Sequence, residues 1–107
     1  MRLFPRRRQQ ATREPSRAEV KAETTAHFRQ FVSTRVGVEG YLEPATYVDP
    51  PTLVLVARTG EWTRRRVPDA QAARELGRTL EIPVYDVNLT GYPARMREWS
   101  AQQRRGG

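Results

Sequence analysis

Thr52-Leu53-Val54-Leu55-Val56-Ala57 is the stretch that decides the fold. A continuous aliphatic and β-branched run of this length reads as a central strand covered on both faces. It is far shorter than the ~20 apolar residues of a membrane span. Asp49-Pro50-Pro51 before it is a turn with no helical option, and Thr59-Gly60 after it is a hairpin turn into a third strand, residues 62–67. Upstream, residues 38–48 read as an extended segment broken at Pro44, which has no N–H for a ladder and so marks an edge or a bulge.

Outside this meander the apolar period changes from two to 3.6. Ser16 and Glu19 form a capping box, and Val20, Thr24, Phe28, Phe31 and Val32 follow at helical spacing, which predicts a helix over residues 17–33. Pro68-Asp69 opens a second helix with Asp69 as N-cap and Ala73, Leu76 and Leu80 as its buried stripe. Residues 84–89 (VYDVNL) predict a fourth strand, and Gly91-Tyr92-Pro93 starts a last helix anchored by Met96 and Trp99. The third strand reaches the fourth through a helix, so the fourth must pair in parallel with a neighbour. The expected fold class is α+β, in the order α-β-β-β-α-β-α, with a mixed four-stranded sheet.

The chain has 107 residues and no cysteine, which excludes disulfides, thiolate metal sites and thiol nucleophiles. That size fits one domain, expected over residues 16–103, behind a disordered tail (1–15) and ahead of a frayed end (104–107). The N-terminus lacks the apolar stretch of a secretory signal, so a soluble cytoplasmic protein is expected. The net charge is +7. Residues 1–17 hold six arginines against Glu14, Arg104 and Arg105 add two more, and residues 18–103 balance eleven basic against eleven acidic side chains. Arginine occurs 18 times and lysine once, a bias that base composition of the genome also produces.

Three candidate sites follow. Arg2, Arg6, Arg7, Arg8, Arg13 and Arg17 form a cluster that would neutralise phosphates of RNA or DNA with steep salt dependence. On the third strand Trp62, Arg64 and Arg66 share a face, an aromatic between guanidiniums that suits a base and its phosphates. The competing reading is an edge strand protected by charge, with Glu39 and Glu43 as partners. Arg95 and Arg97 in the first turn of the last helix oppose its dipole unless something negative lies nearby, a weaker anion site. His27 sits one turn after Glu23, suggesting a helical Glu–His pair, and Asp86 with Asn88 shares a strand face. No catalytic residue, metal site or cofactor is expected from this set. Leu3 and Phe4 insert too little apolar area to make a membrane the partner.

Two resemblances accompany these readings. Gly40-Tyr41-Leu42-Glu43-Pro44, residues 53–57, residues 60–66, Ile82-Pro83-Val84-Tyr85-Asp86-Val87 and Gly91-Tyr92-Pro93-Ala94-Arg95-Met96-Arg97 resemble a group of small actinobacterial proteins without an assigned activity, often labelled oxidoreductases. No G-x-G-x-x-G opens a helix here to support that label. The order α-β-β-β-α-β is also similar to the core of the PD-(D/E)xK nucleases. Those enzymes hold Mg²⁺ with an acid on the second strand and an acid-x-Lys triplet on the third, where this chain has TLVLVA and Glu61-Trp62-Thr63. The expected function is therefore a small non-enzymatic binding protein whose basic tail contacts nucleic acid or a ribonucleoprotein. The alternative is a protein-interaction module anchored by Tyr41, Tyr47 or Trp62, with an enzyme of unknown type third.

Overall fold

The computed structural model describes residues 14–106. Helix α1 (Arg17–Thr34) starts at the capping box: the Glu19 amide donates to Ser16 Oγ at 3.1 Å and the Ser16 amide to Glu19 Oε1 at 2.7 Å. Thr24, Phe28 and Phe31, spaced by one helical turn, point at the sheet. Val20, expected on the same stripe, is 49% exposed, so the buried face begins one turn later.

Strands β1 (Glu39–Glu43), β2 (Thr52–Val56) and β3 (Trp62–Arg66) form the antiparallel meander. Helix α2 (Ala70–Leu80) begins at Asp69, whose carboxylate accepts from the Ala72 amide at 2.8 Å. It carries the chain to β4 (Val84–Asp86), which pairs in parallel with β1. A short helix α3 (Val87–Thr90) and the long α4 (Ala94–Gly106) complete the fold. The sheet order is β3-β2-β1-β4, an α+β fold with β2 and β1 central and β3 at an edge. No helix among the described residues is long and apolar enough to cross a membrane.

Three boundaries differ from the sequence reading, each for a local reason. The first strand stops at Glu43 rather than continuing to Val48. Beyond Pro44 the backbone closes a turn instead: the Thr46 amide donates to the Asp49 carbonyl, and Thr46 Oγ1 accepts from the amides of Val48 and Asp49. The fourth strand ends at Asp86 because its carboxylate caps the Asn88 amide at 2.8 Å and starts α3. Asp86 is thus a helix cap and not half of a strand-face pair. Helix α4 runs through Arg104 and Arg105 to Gly106, beyond the point at which the sequence reading has it fray.

The alternation of β2 feeds two cores. Leu53, Leu55 and Ala57 face α1 and α2, where Phe28, Phe31, Ala73 and Leu80 bury them together with Leu42 and Val38. Gly77 lets α2 approach β4: a Cβ there would lie 2.5 Å from Val84 Cγ2. Val54 and Val56 face the other way, joining Tyr41 under Trp62, Tyr92 and Met96. That second layer is thin, and the candidate site lies on it.

Candidate nucleic-acid interface

Helix α4 covers only one end of the second face, and polar contacts fix it there. Gly60, in the β2–β3 turn, has φ +96°, and a Cβ on it would collide with the Arg95 carbonyl oxygen, so α4 rests directly on the hairpin tip. Arg95 donates through Nε to the Ala57 carbonyl at 2.9 Å and through Nη2 to Glu39 Oε1 at 2.7 Å. Tyr41 Oη donates to the same carboxylate oxygen at 3.0 Å. The Arg95 guanidinium holds the Glu39 carboxyl below its ordinary range. Burial, then the Glu39 carboxylate, push the Tyr41 phenol up. Glu39 is the negative group that Arg95, in the first turn of α4, requires. Arg95 is therefore committed to an internal ion pair, while Arg97 remains exposed.

Trp62 belongs to this covered end as well. Its ring packs in the second core, and Nε1 donates to Ser100 Oγ at 3.0 Å. The face shared by Trp62, Arg64 and Arg66 is real, but its aromatic lies beneath α4 and only the two arginines project into solvent. Tyr41, a docking anchor in the sequence reading, is buried at 6% exposure.

Beyond α4 the same face opens into a groove of about 790 Å³. Arg64 and Arg66 form one wall; Thr46 and Asp49 of the 44–51 loop, with Asn88 and Tyr92, form the others. Arg64 Nη2 reaches across β2 to Glu43 Oε1 at 2.5 Å, and Arg66 Nη2 lies 4.0 Å from Asp49 Oδ1. β3 is thus a charged edge strand, as the competing reading held, with Glu43 as one partner. Glu39 turns to Arg95 instead. Arg65 points to the opposite face, where its Nη2 lies 3.3 Å from His27 Nδ1 while Thr63 Oγ1 lies 2.6 Å from Nε2. His27 thus meets β3 through both ring nitrogens, a partnership that its helical neighbour Glu23 does not suggest.

Thr46 from the β1–β2 loop, and Asn88 and Tyr92 from α3 and the segment after it, carry no linear signal as partners of the arginines, since only the tertiary fold brings them together. Tyr47, on the same loop between Thr46 and Asp49, is 103% exposed, and Val48 beside it is 79% exposed. An aromatic and a valine between Pro44 and Pro50 are the signal the sequence does offer. Arg17 is exposed at the first turn of α1. Arg2, Arg6, Arg7, Arg8 and Arg13, with the tail boundary they define, lie outside the described residues.

The residues do not suit the Mg²⁺ that the nuclease likeness implies. β2 offers only apolar side chains after Thr52, and Glu61 is held in a two-pronged pair with Arg35 at 3.1 and 2.6 Å. Among the described residues no group of three or more His, Cys, Asp or Glu is placed to hold a metal ion. Comparison of the chain with known protein families, curated proteins and solved structures finds no match.

Proposed function

We propose that this is a small non-enzymatic binding protein that engages nucleic acid, free or within a ribonucleoprotein, through its arginines. The observation that carries the reading is the groove wall: Arg64 and Arg66 stand exposed on one face of an edge strand, opposite Asn88 and Tyr92. A guanidinium matches a phosphate with paired N–H donors. The carboxylates now facing these arginines are surface partners, and such pairs contribute only ~0–1 kcal/mol, so a phosphate displaces them at little cost. The arginines before residue 14 add sequence-blind attraction. The absence of cysteine suits the reducing cytoplasm, where we place the protein, with relatives among the small actinobacterial proteins of similar sequence.

The test is binding of labelled RNA and DNA to the full chain and to residues 16–107 across a salt series. Affinity that falls on truncation, with the log–log salt slope shallower by roughly 0.7–0.9 for each phosphate no longer neutralised, supports the reading. No binding by either form at low salt removes it. A second reading, docking on a protein, draws on Tyr47, Val48 and Leu89, which are exposed by 79% or more. Removal of residues 1–15 would leave that docking intact.

A further inference from the structure

We infer that the groove takes single-stranded nucleic acid, with Tyr47 as the platform on which a base stacks and Arg64 and Arg66 as the phosphate contacts. This rests on the reading proposed above and specifies its ligand. The aromatic that the strand pattern offers, Trp62, is engaged with Ser100 under α4. Tyr47 is different. Its ring has no cover at all, yet its backbone is fixed by a turn with three hydrogen bonds between Thr46, Val48 and Asp49. Pro44 on one side and Pro50-Pro51 on the other stiffen the loop that carries it. A ring held out on a stiff turn loses little freedom when a base lies on it, and every base has a face to stack.

The turn also sets where the ring stands. Thr46 and Asp49, on either side of Tyr47 in the loop, line the groove, and Asp49 Oδ1 is 4.0 Å from Arg66 Nη2. Tyr47 itself projects from the loop outside the groove lining and can meet only a strand that runs on past the rim. Arg64 lies two residues along the same face, as successive contacts to a backbone require. On the other wall Tyr92 supplies a second ring and Asn88 an amide able to meet a base edge. The groove volume falls within the ~300–1,000 Å³ of small-molecule sites, enough for a nucleotide. Proteins that read a duplex insert a helix or a ribbon into its groove. Here the arginines sit in a concavity, which receives a strand with splayed bases and not a rod whose bases are already stacked.

Anisotropy of labelled oligo(U) and oligo(dT) 12-mers, and of a 12-base-pair duplex, would be measured with the full chain and with Tyr47→Ala, Tyr47→Phe and the double variant Arg64→Gln/Arg66→Gln. The expected result is a loss of about 5- to 100-fold for Tyr47→Ala on the single strands, with an unchanged salt slope and unchanged duplex binding. Tyr47→Phe should stay within about 3-fold of the parent, since stacking needs the ring and not the hydroxyl. The double variant should lower the single-strand salt slope by about 1–2. Tyr47 is wholly exposed, so an unchanged melting curve for Tyr47→Ala excludes misfolding. Single-strand affinity indifferent to Tyr47→Ala, with the duplex bound as well, overturns this inference and leaves the nucleic-acid reading standing. Failure of the full chain to bind any of the three probes at low salt removes both.

Discussion

The two faces of the sheet are built from the same strand and covered in opposite ways. On one, α1 and α2 lay down a layer of aliphatic and aromatic side chains in which Phe28, Leu53 and Leu55 are 0% exposed. On the other, α4 covers only the end near Gly60 and is held largely by polar groups: Arg95 to Glu39 and the Ala57 carbonyl, Trp62 to Ser100. None of the α4 residues is fully buried. Apolar burial supplies most folding free energy, so the first face sets global stability. The second sets where the surface stays open. Segments with little buried apolar surface open locally at low free energy, and the groove begins where α4 ends.

Substitutions separate the faces by size and by reach. Phe28→Ala removes a fully buried ring and should cost about 3–5 kcal/mol, seen as a lower denaturation midpoint and weaker amide protection across the whole sheet. Gly60→Ala should cost roughly 2–4 kcal/mol, because the new Cβ meets the Arg95 carbonyl and φ +96° is strained for any side chain. Its signature is different: α4 lifts, so α4 amides become less protected from hydrogen exchange while those of β2 keep most of their protection. Equal weakening in both would mean that the faces are one cooperative unit. Arg95→Ala acts on the same junction at about 1–2 kcal/mol, with the tryptophan emission of Trp62 and Trp99 shifting to the red as α4 loosens.

The same contrast explains which features are legible in the chain. Those fixed by neighbours in sequence are: the Ser16–Glu19 capping box, Asp69 as N-cap, the apolar run of β2 and the parallel pairing of β4 that a helical crossover demands. Features that depend on distant groups are not. Trp62 and Arg95 look like surface binding residues in a linear pattern, and both are drawn into the fold by α4, whose docking hangs on the fit between Gly60 and the Arg95 backbone. The arginine wall of the groove is visible from strand alternation. Its opposite wall is not, because Thr46 comes from the loop between β1 and β2 while Asn88 and Tyr92 come from α3 and the segment that follows it.

The smallest expected effect reverses the ranking of the two faces. His27 joins α1 to β3 on the thick face, and since the Arg65 guanidinium can only donate, Nδ1 accepts and Nε2 carries the proton given to Thr63. Burial, then the Arg65 and Arg35 charges, hold its pKa below the ordinary 6.5, with Glu23 opposing. The folded state therefore binds this proton less readily than the unfolded chain. Its contribution is complete above pH 6.5 and is lost as pH falls through the lower folded value. Glu39, which pins α4, is held below its ordinary 4.5 by Arg95, so that clamp survives until the pH drops beneath that value. Between these limits acid loosens the α1–β3 seam while the thin face keeps its clamp. Melting at pH 7.5 and 5.5 should show a lower Tm at 5.5 for the parent and a smaller difference for His27→Gln. Amide exchange at pH 5.5 should rise at β3 before α4. A parent Tm equal at both values, or a His27→Gln variant with the same drop, would place the neutral histidine elsewhere than between Thr63 and Arg65.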